Sequence, residues 1–152
     1  MRVAIGGDHA GFTLQAPVVR ALEHWGHEVR RVGPRTPEPV DFPDVAKEVC
    51  TAVVDGDVER GIMICGTGVG AAIAANKVPG IRAAVCHDLY SAHQCVEHDD
   101  VNVLCLGAQI VGELMALEIV RTYLAARFST DDEFRRRVAK LGAMDRRRSG
   151  EQ

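Results

Sequence analysis

Apolar positions along this chain fall into two alternating rhythms. Short runs over Val3–Ile5, Glu28–Val32, Gly61–Ile64, Arg82–Cys86 and Val101–Leu106 carry the apolar and β-branched density of strands. Between them, apolar residues recur at helical spacing over Thr13–Trp25, Asp44–Asp55, Val69–Asn76, Leu89–Glu97 and Gly112–Arg127, and a last helix starts near Asp131. Strand and helix alternate in the grammar of βαβ units. The central runs are apolar nearly throughout, as parallel strands covered on both faces require, and right-handed crossovers would stack helices on each side. The pattern therefore predicts an α/β fold built on an open, doubly wound parallel sheet of about five strands. Pro34, Pro37, Pro39 and Pro43 mark one long surface loop. Composition does not change across that loop, so residues 1–152 read as a single domain, with about 146–152 a loosely ordered basic tail.

The 152 residues, 47% hydrophobic and 26% charged, are enough chain for a proper core. No run approaches the roughly 20 apolar residues of a membrane span, and the opening Met1-Arg-Val-Ala-Ile-Gly6 lacks the long apolar segment of a signal peptide. The expectation is a cytoplasmic protein. Cys50, Cys65, Cys86, Cys95 and Cys105 are odd in number and widely spaced without a Cys-x-x-Cys pair, which argues against a disulfide framework and a structural zinc site. The net charge of −3 offers no global attraction to nucleic acid. Arg135–Arg137 and Arg146–Arg148 make only the C-terminal end basic, as a solvated helix face would be.

In open α/β sheets ligands bind beyond the carboxyl ends of the strands, and here those ends are chemically loaded. Gly6-Gly7-Asp8-His9-Ala10-Gly11 follows the first strand, Cys65-Gly66-Thr67-Gly68-Val69-Gly70 the third, and His87-Asp88 the fourth, with Glu97-His98-Asp99-Asp100 just before the fifth. The glycines let N–H groups converge where Ala71–Ala75 opens a helix, and a cysteine beside such a turn is favoured as its thiolate. Gly66-x-Gly68-x-x-Ala71 also fits a dinucleotide fingerprint, with Asp88 closing the next strand. Against a nicotinamide site, it lies in the third strand unit, and the chain has little room for a second mononucleotide half. No Gly-Lys-Ser/Thr follows, which weighs against a P-loop.

Taken together, Gly7-Asp8-His9-Ala10-Gly11-Phe12, Cys65-Gly66-Thr67-Gly68-Val69-Gly70 with Ile73-Ala-Ala-Asn76-Lys77, Gly80-Ile-Arg82-Ala, Tyr90-Ser-Ala92, Glu97-His98 and Asn102-Val-Leu104 resemble the type B ribose-5-phosphate isomerases. That family also holds galactose-6-phosphate and allose-6-phosphate isomerases, and the resemblance runs from Arg2 to about Arg148. It implies an aldose–ketose isomerase without metal or cofactor, on a Rossmann-like or flavodoxin-like sheet, acting on a small sugar or sugar phosphate. It further implies a homodimer whose sites lie between subunits, reached by the C-terminal helix, and dimers that can pair into tetramers.

Moving a carbonyl from C1 to C2 requires ring opening, removal of a carbon-bound proton and stabilisation of a cis-enediolate. By the resemblance Cys65 is the base that takes the C2 proton and His98 the ring-opening acid/base; Thr67 relays a proton between oxygens. Backbone N–H groups around Gly66, Gly68, Val69 and Gly70 would hold the enediolate oxygen. Asp8 would bind a ring oxygen or hydroxyl, although an Asp after a strand is also an ordinary cap. His9 and Arg137 would meet the phosphate, Arg137 from the neighbouring subunit, and Asp99 lines the pocket. His24, His27 and His93 match nothing and read as surface or helix-face residues.

The departures fall where the family places phosphate ligands. Gln109 stands where an arginine is usual, and Glu133-Phe134-Arg135-Arg136-Arg137 replaces Arg-His-x-x-Arg, keeping only the last arginine in register. Asp99 replaces a usual Asn and Phe42 a common Tyr. Ribose 5-phosphate is therefore the default substrate by resemblance. Alternatives are the same chemistry on a tetrose or hexose phosphate or an unphosphorylated sugar, and a nucleotide-binding module without turnover.

Overall fold

A computed structural model describes residues 1–148; of the basic tail expected over 146–152, residues 149–152 lie outside the described residues. The chain runs β1 (Arg2–Gly7), α1 (Phe12–His24), β2 (Glu28–Arg31), α2 (Phe42–Val54), β3 (Arg60–Cys65), α3 (Val69–Ala75), β4 (Ala83–Val85), α4 (Leu89–Asp99), β5 (Val103–Gly107), α5 (Glu113–Ala125) and α6 (Asp132–Arg148). A 3-10 turn, His9–Gly11, joins β1 to α1. All neighbouring strands pair in parallel, in the order β2-β1-β3-β5-β4.

The strand alternation sends side chains to two separate cores. Val3, Ile5, Ile62, Ile64, Leu104 and Leu106 pack under α1, α4 and α5. Their neighbours Ala4, Met63, Cys65, Val103 and Cys105 pack under α2 and α3 on the other face. The three central strands are thus apolar on both sides because helices cover both sides. The sixth helix stands outside this sandwich and leans on α4. Among the described residues no helix is long and apolar enough to cross a membrane.

Several boundaries differ from the periodicity by a residue or two, and the starts of β4 and β5 do so through specific hydrogen bonds. The fifth strand starts at Val103 rather than Val101 because the Val101 N–H closes back on the Cys95 carbonyl, and α4 runs on to Asp99. Asp100 then ends the helix in the left-handed region at φ 50. The fourth strand loses Arg82 because the Arg82 N–H is taken by Asn102 Oδ1 at 2.8 Å, while Asn102 Nδ2 donates to the Gly80 carbonyl.

Candidate active site

The strand order reverses direction between β1 and β3. The connection leaving β1 goes to β2 on one side, and the one leaving β3 goes to β4 on the other, so the crevice beyond their carboxyl ends is a topological switch point. The turns after β1 and β3 meet there.

The first turn lies flat against the end of β3. A Cβ on Gly7 or on Gly11 would sit 2.0 Å from the Ile64 carbonyl oxygen, so only glycine lets the backbone come so close. Asp8 is buried between them. Its Oδ1 accepts the Gly11 N–H at 3.1 Å, capping the 3-10 turn, and its carbonyl accepts from the buried Gln15 side chain at 3.2 Å. Capping is thus one job of Asp8, and a carboxylate retains acceptor capacity beyond that single bond. His9 is exposed on the same turn, with the Val40 N–H pointing at its Nδ1 at 3.4 Å. A cavity of about 600 Å³ opens from His9 along the proline-rich loop, past Asp41, Asp44 and Glu48.

The second turn carries the thiol. Cys65, the last residue of β3, is 5% exposed, and its Sγ accepts the Gly68 N–H at 3.0 Å. Gly68 reaches this geometry in the left-handed region at φ 81, which favours glycine, and it serves as the N-cap of α3. Thr67 and Val69 are exposed, and the Val69 N–H faces Thr67 Oγ1 at 3.4 Å. A Cβ on Gly66 would meet the Gln109 side chain at 3.0 Å, and one on Gly70 would meet the Phe42 ring at 2.9 Å. Gln109 and Phe42, both singled out as departures, therefore roof the glycine turn.

His87, named in the sequence only as part of a loaded strand end, turns out to fix the floor. Its Nε2 accepts the Gly107 N–H at 2.9 Å, and Gly107 is the register partner of Cys65. Burial lowers its pKa, an effect the neighbouring Asp88 charge partly offsets, so the imidazole is held as the neutral acceptor this bond needs. Asp88 caps α4 through the Ser91 N–H at 2.7 Å. A His-Asp pair directly after a strand was the available signal, but no spacing rule says that the histidine reaches a neighbouring strand.

His98 is not in this crevice. It lies in the last turn of α4, which begins after the carboxyl end of β4 and ends where β5 begins, and so at the opposite end of the sheet from Cys65. There its ring stacks on Phe134 of α6, with centroids 4.0 Å apart and 13° between planes. Gln94 Nε2 lies 3.1 Å from His98 Nδ1, and Glu97 Oε2 lies 3.8 Å from Nε2. Arg137 is at the same end, with its guanidinium 5.9 Å from the Phe134 ring centroid and ion-paired with Glu133 one turn away. Asp99 is exposed beside this group, on a cavity of about 370 Å³ that α6 helps to line through Leu141 and Met144. One chain therefore holds Asp8, His9, Cys65, Thr67 and the glycine turn at one end, and His98, Asp99 and Arg137 at the other. Among the described residues no group of three or more His, Cys, Asp or Glu side chains is arranged to hold a metal ion.

A family model described as Ribose/Galactose Isomerase matches residues 3–141. The ribose-5-phosphate isomerase B of Escherichia coli (strain K12) is 43% identical over 148 residues, covering 97% of this chain and 99% of that protein. The D-erythrulose-4-phosphate isomerase of Pectobacterium atrosepticum is 41% identical over 130 residues, 84% of this chain and 85% of its own length. The solved structure of Clostridium thermocellum ribose-5-phosphate isomerase B superposes with a TM-score of 0.94 at 46% identity, covering 97% of this chain and 99% of that one.

Proposed function

Because this chain belongs to the ribose/galactose isomerase family, we propose that it interconverts D-ribose 5-phosphate and D-ribulose 5-phosphate through a cis-enediolate, with Cys65 as the base. The observation that carries this reading is the buried Cys65 sulfur at the topological switch point, with the Gly68 N–H aimed at it at 3.0 Å.

In this mechanism His98 gives a proton to the ring oxygen and receives one from the anomeric hydroxyl, so the sugar opens with no net change in protons. The Cys65 thiolate then removes the C2 proton and the electron pair moves through the C1–C2 bond to O1. Backbone N–H groups of the Gly66–Gly70 turn hold the oxyanion, and one such preorganised donor lowers the barrier by about 3–4 kcal/mol. Thr67 passes the O2 proton to O1. Cys65 returns its proton to C1, which leaves the carbonyl at C2 and restores the thiolate. Asp8 and His9 bind the sugar from the neighbouring turn, and Asp99 and Arg137 from the other end.

The working unit is a two-fold homodimer that joins the two ends from different copies. Its support is the placement of Cys65 and His98 at opposite ends of one sheet, since an acid and a base acting on one sugar must both lie within hydrogen-bond reach of it. Exposed Val69, Ile73, Leu89 and Tyr90, on the elements that follow β3 and β4, offer an apolar rim for a second copy to cover.

A second reading keeps the chemistry and changes the sugar. It is favoured by the ion pair between Glu133 and Arg137, which leaves Arg137 with a carboxylate partner where the substrate terminus would compete for it. A tetrose phosphate is then a natural candidate, as in the 41%-identical D-erythrulose-4-phosphate isomerase. The test is proton NMR in D₂O with ribose 5-phosphate, free ribose, allose 6-phosphate and erythrose 4-phosphate, with Cys65→Ala as control. Turnover of ribose 5-phosphate with solvent deuterium at carbon, reduced roughly 10²–10⁴-fold by Cys65→Ala, is the expected result. Preference for another sugar selects the second reading, and no turnover of any sugar overturns both.

A further inference from the structure

His98 is held by two side chains, Phe134 and Gln94. Phe134 lies parallel to the imidazole at 4.0 Å and 13°, so the ring can turn out of its plane only by losing the stack. Such aromatic pairs contribute beyond their buried area. Gln94 sits one helical turn earlier on α4, the spacing at which helical side chains meet, with its amide nitrogen 3.1 Å from Nδ1. A carboxamide nitrogen only donates, and a neutral imidazole has one donor and one acceptor nitrogen. The bond therefore makes Nδ1 the acceptor and puts the proton on Nε2. Stacking alone would accept either of the two orientations related by a half-turn about Cβ–Cγ, and the amide alone would permit tilting. Together they define one plane and one tautomer.

We propose that Phe134 and Gln94 are the positioning residues of His98, presetting it with Nε2–H towards the sugar, so that this proton passes to the ring oxygen as the proton of the anomeric hydroxyl replaces it at the same nitrogen. This rests on the isomerase reading above, in which His98 opens the ring. It extends that reading by assigning work to α6, a helix outside the core sandwich that supplies none of the core. The stack joins α6 to α4, and through it the same helix brings Glu133 and Arg137 beside the imidazole. Glu97, on the neighbouring face, is 3.8 Å from Nε2, too long for a hydrogen bond, so the Nε2 proton remains available to a substrate.

Two measurements test this on the intact protein. Long-range proton–nitrogen NMR of the wild type at neutral pH should show His98 with Nε2 protonated and Nδ1 bare, and Gln94→Leu should convert it to a mixture of tautomers. A wild-type His98 carrying its proton on Nδ1 would overturn the proposal whether or not any sugar turns over. Kinetically, Phe134→Leu should lower kcat about tenfold while KM changes less than about threefold, and Phe134→Tyr, which keeps the ring, should restore most of the loss. An unchanged kcat in Phe134→Leu, or a loss that Tyr fails to restore, would also overturn it. Failure of the isomerase reading would look different: no sugar turned over by the wild type, with the tautomer experiment still deciding the positioning role.

Discussion

Mixing two inactive variants should recover activity. The eleven residues of α4 rise about 16 Å at 1.5 Å per residue, and this helix carries the chain from the Cys65 end of the sheet back to the end where His98 sits. Proton transfer needs heavy atoms about 3 Å apart, so the gap within one chain exceeds what side-chain motion can close. If two copies meet around a two-fold axis, Cys65 of each works with His98 of the other. Cys65→Ala and His98→Ala homodimers then lack one member of both sites. A random one-to-one mixture is about half heterodimer, and each heterodimer has one site with both members intact and one with neither, giving roughly a quarter of wild-type activity for an isologous dimer. The assay is isomerisation after subunit exchange, with native mass spectrometry to count heterodimers and circular dichroism to confirm that both variants are folded. Confirmed heterodimers with no activity above the parents would refute the shared-site reasoning and require both residues to act from one chain.

The other predictions concern charge. Glu133→Gln should lower KM for ribose 5-phosphate several-fold, because it frees Arg137 and removes a carboxylate from beside the substrate terminus, while free ribose is unaffected; steady-state kinetics with both sugars checks this. An exposed pair of this kind is itself worth only about 0–1 kcal/mol, so the variant's melting temperature should hardly change. His87 should make stability pH-dependent. Its folded pKa is below its ordinary value of 6.5, so the unfolded chain binds the proton more readily. This contribution is complete above about 6.5 and is lost as pH falls towards the depressed folded value. Melting temperatures between about pH 7.5 and 5.5 should fall more steeply in the wild type than in His87→Gln, and parallel slopes would contradict it.

Much of this molecule is readable along one dimension. Strand and helix periods placed every core element within a few residues of its observed bounds, because a period of two or 3.6 residues is imposed by backbone geometry wherever one side of an element must be buried. The Cys65–Gly70 turn was legible for the same reason: a left-handed backbone at Gly68 and close approaches at Gly7 and Gly11 leave glycines in the sequence. Asp8 showed both its candidacy and its cap, whereas Asn102 showed neither of its bonds and the Val101 N–H showed nothing of its return to Cys95, so β4 and β5 started later than the apolar runs suggested. Partnerships between distant positions left no such trace. That His87 would pin Gly107 and that Phe134 would cover His98 depended on how the strands, α4 and α6 pack, not on local pattern, whereas the Glu133–Arg137 pair is the i,i+4 contact that helical spacing itself allows.

The sequence by itself determined the order of elements, the doubly wound architecture and which reactive side chains stand beyond the carboxyl ends of β1 and β3, since each follows from local backbone rules and from which side chains must leave water. Only the tertiary structure decided which side chains meet across elements, His87 with Gly107 and Phe134 with His98. Such contacts are set by how each helix and loop packs on its neighbours, and no run of neighbouring residues encodes that packing alone.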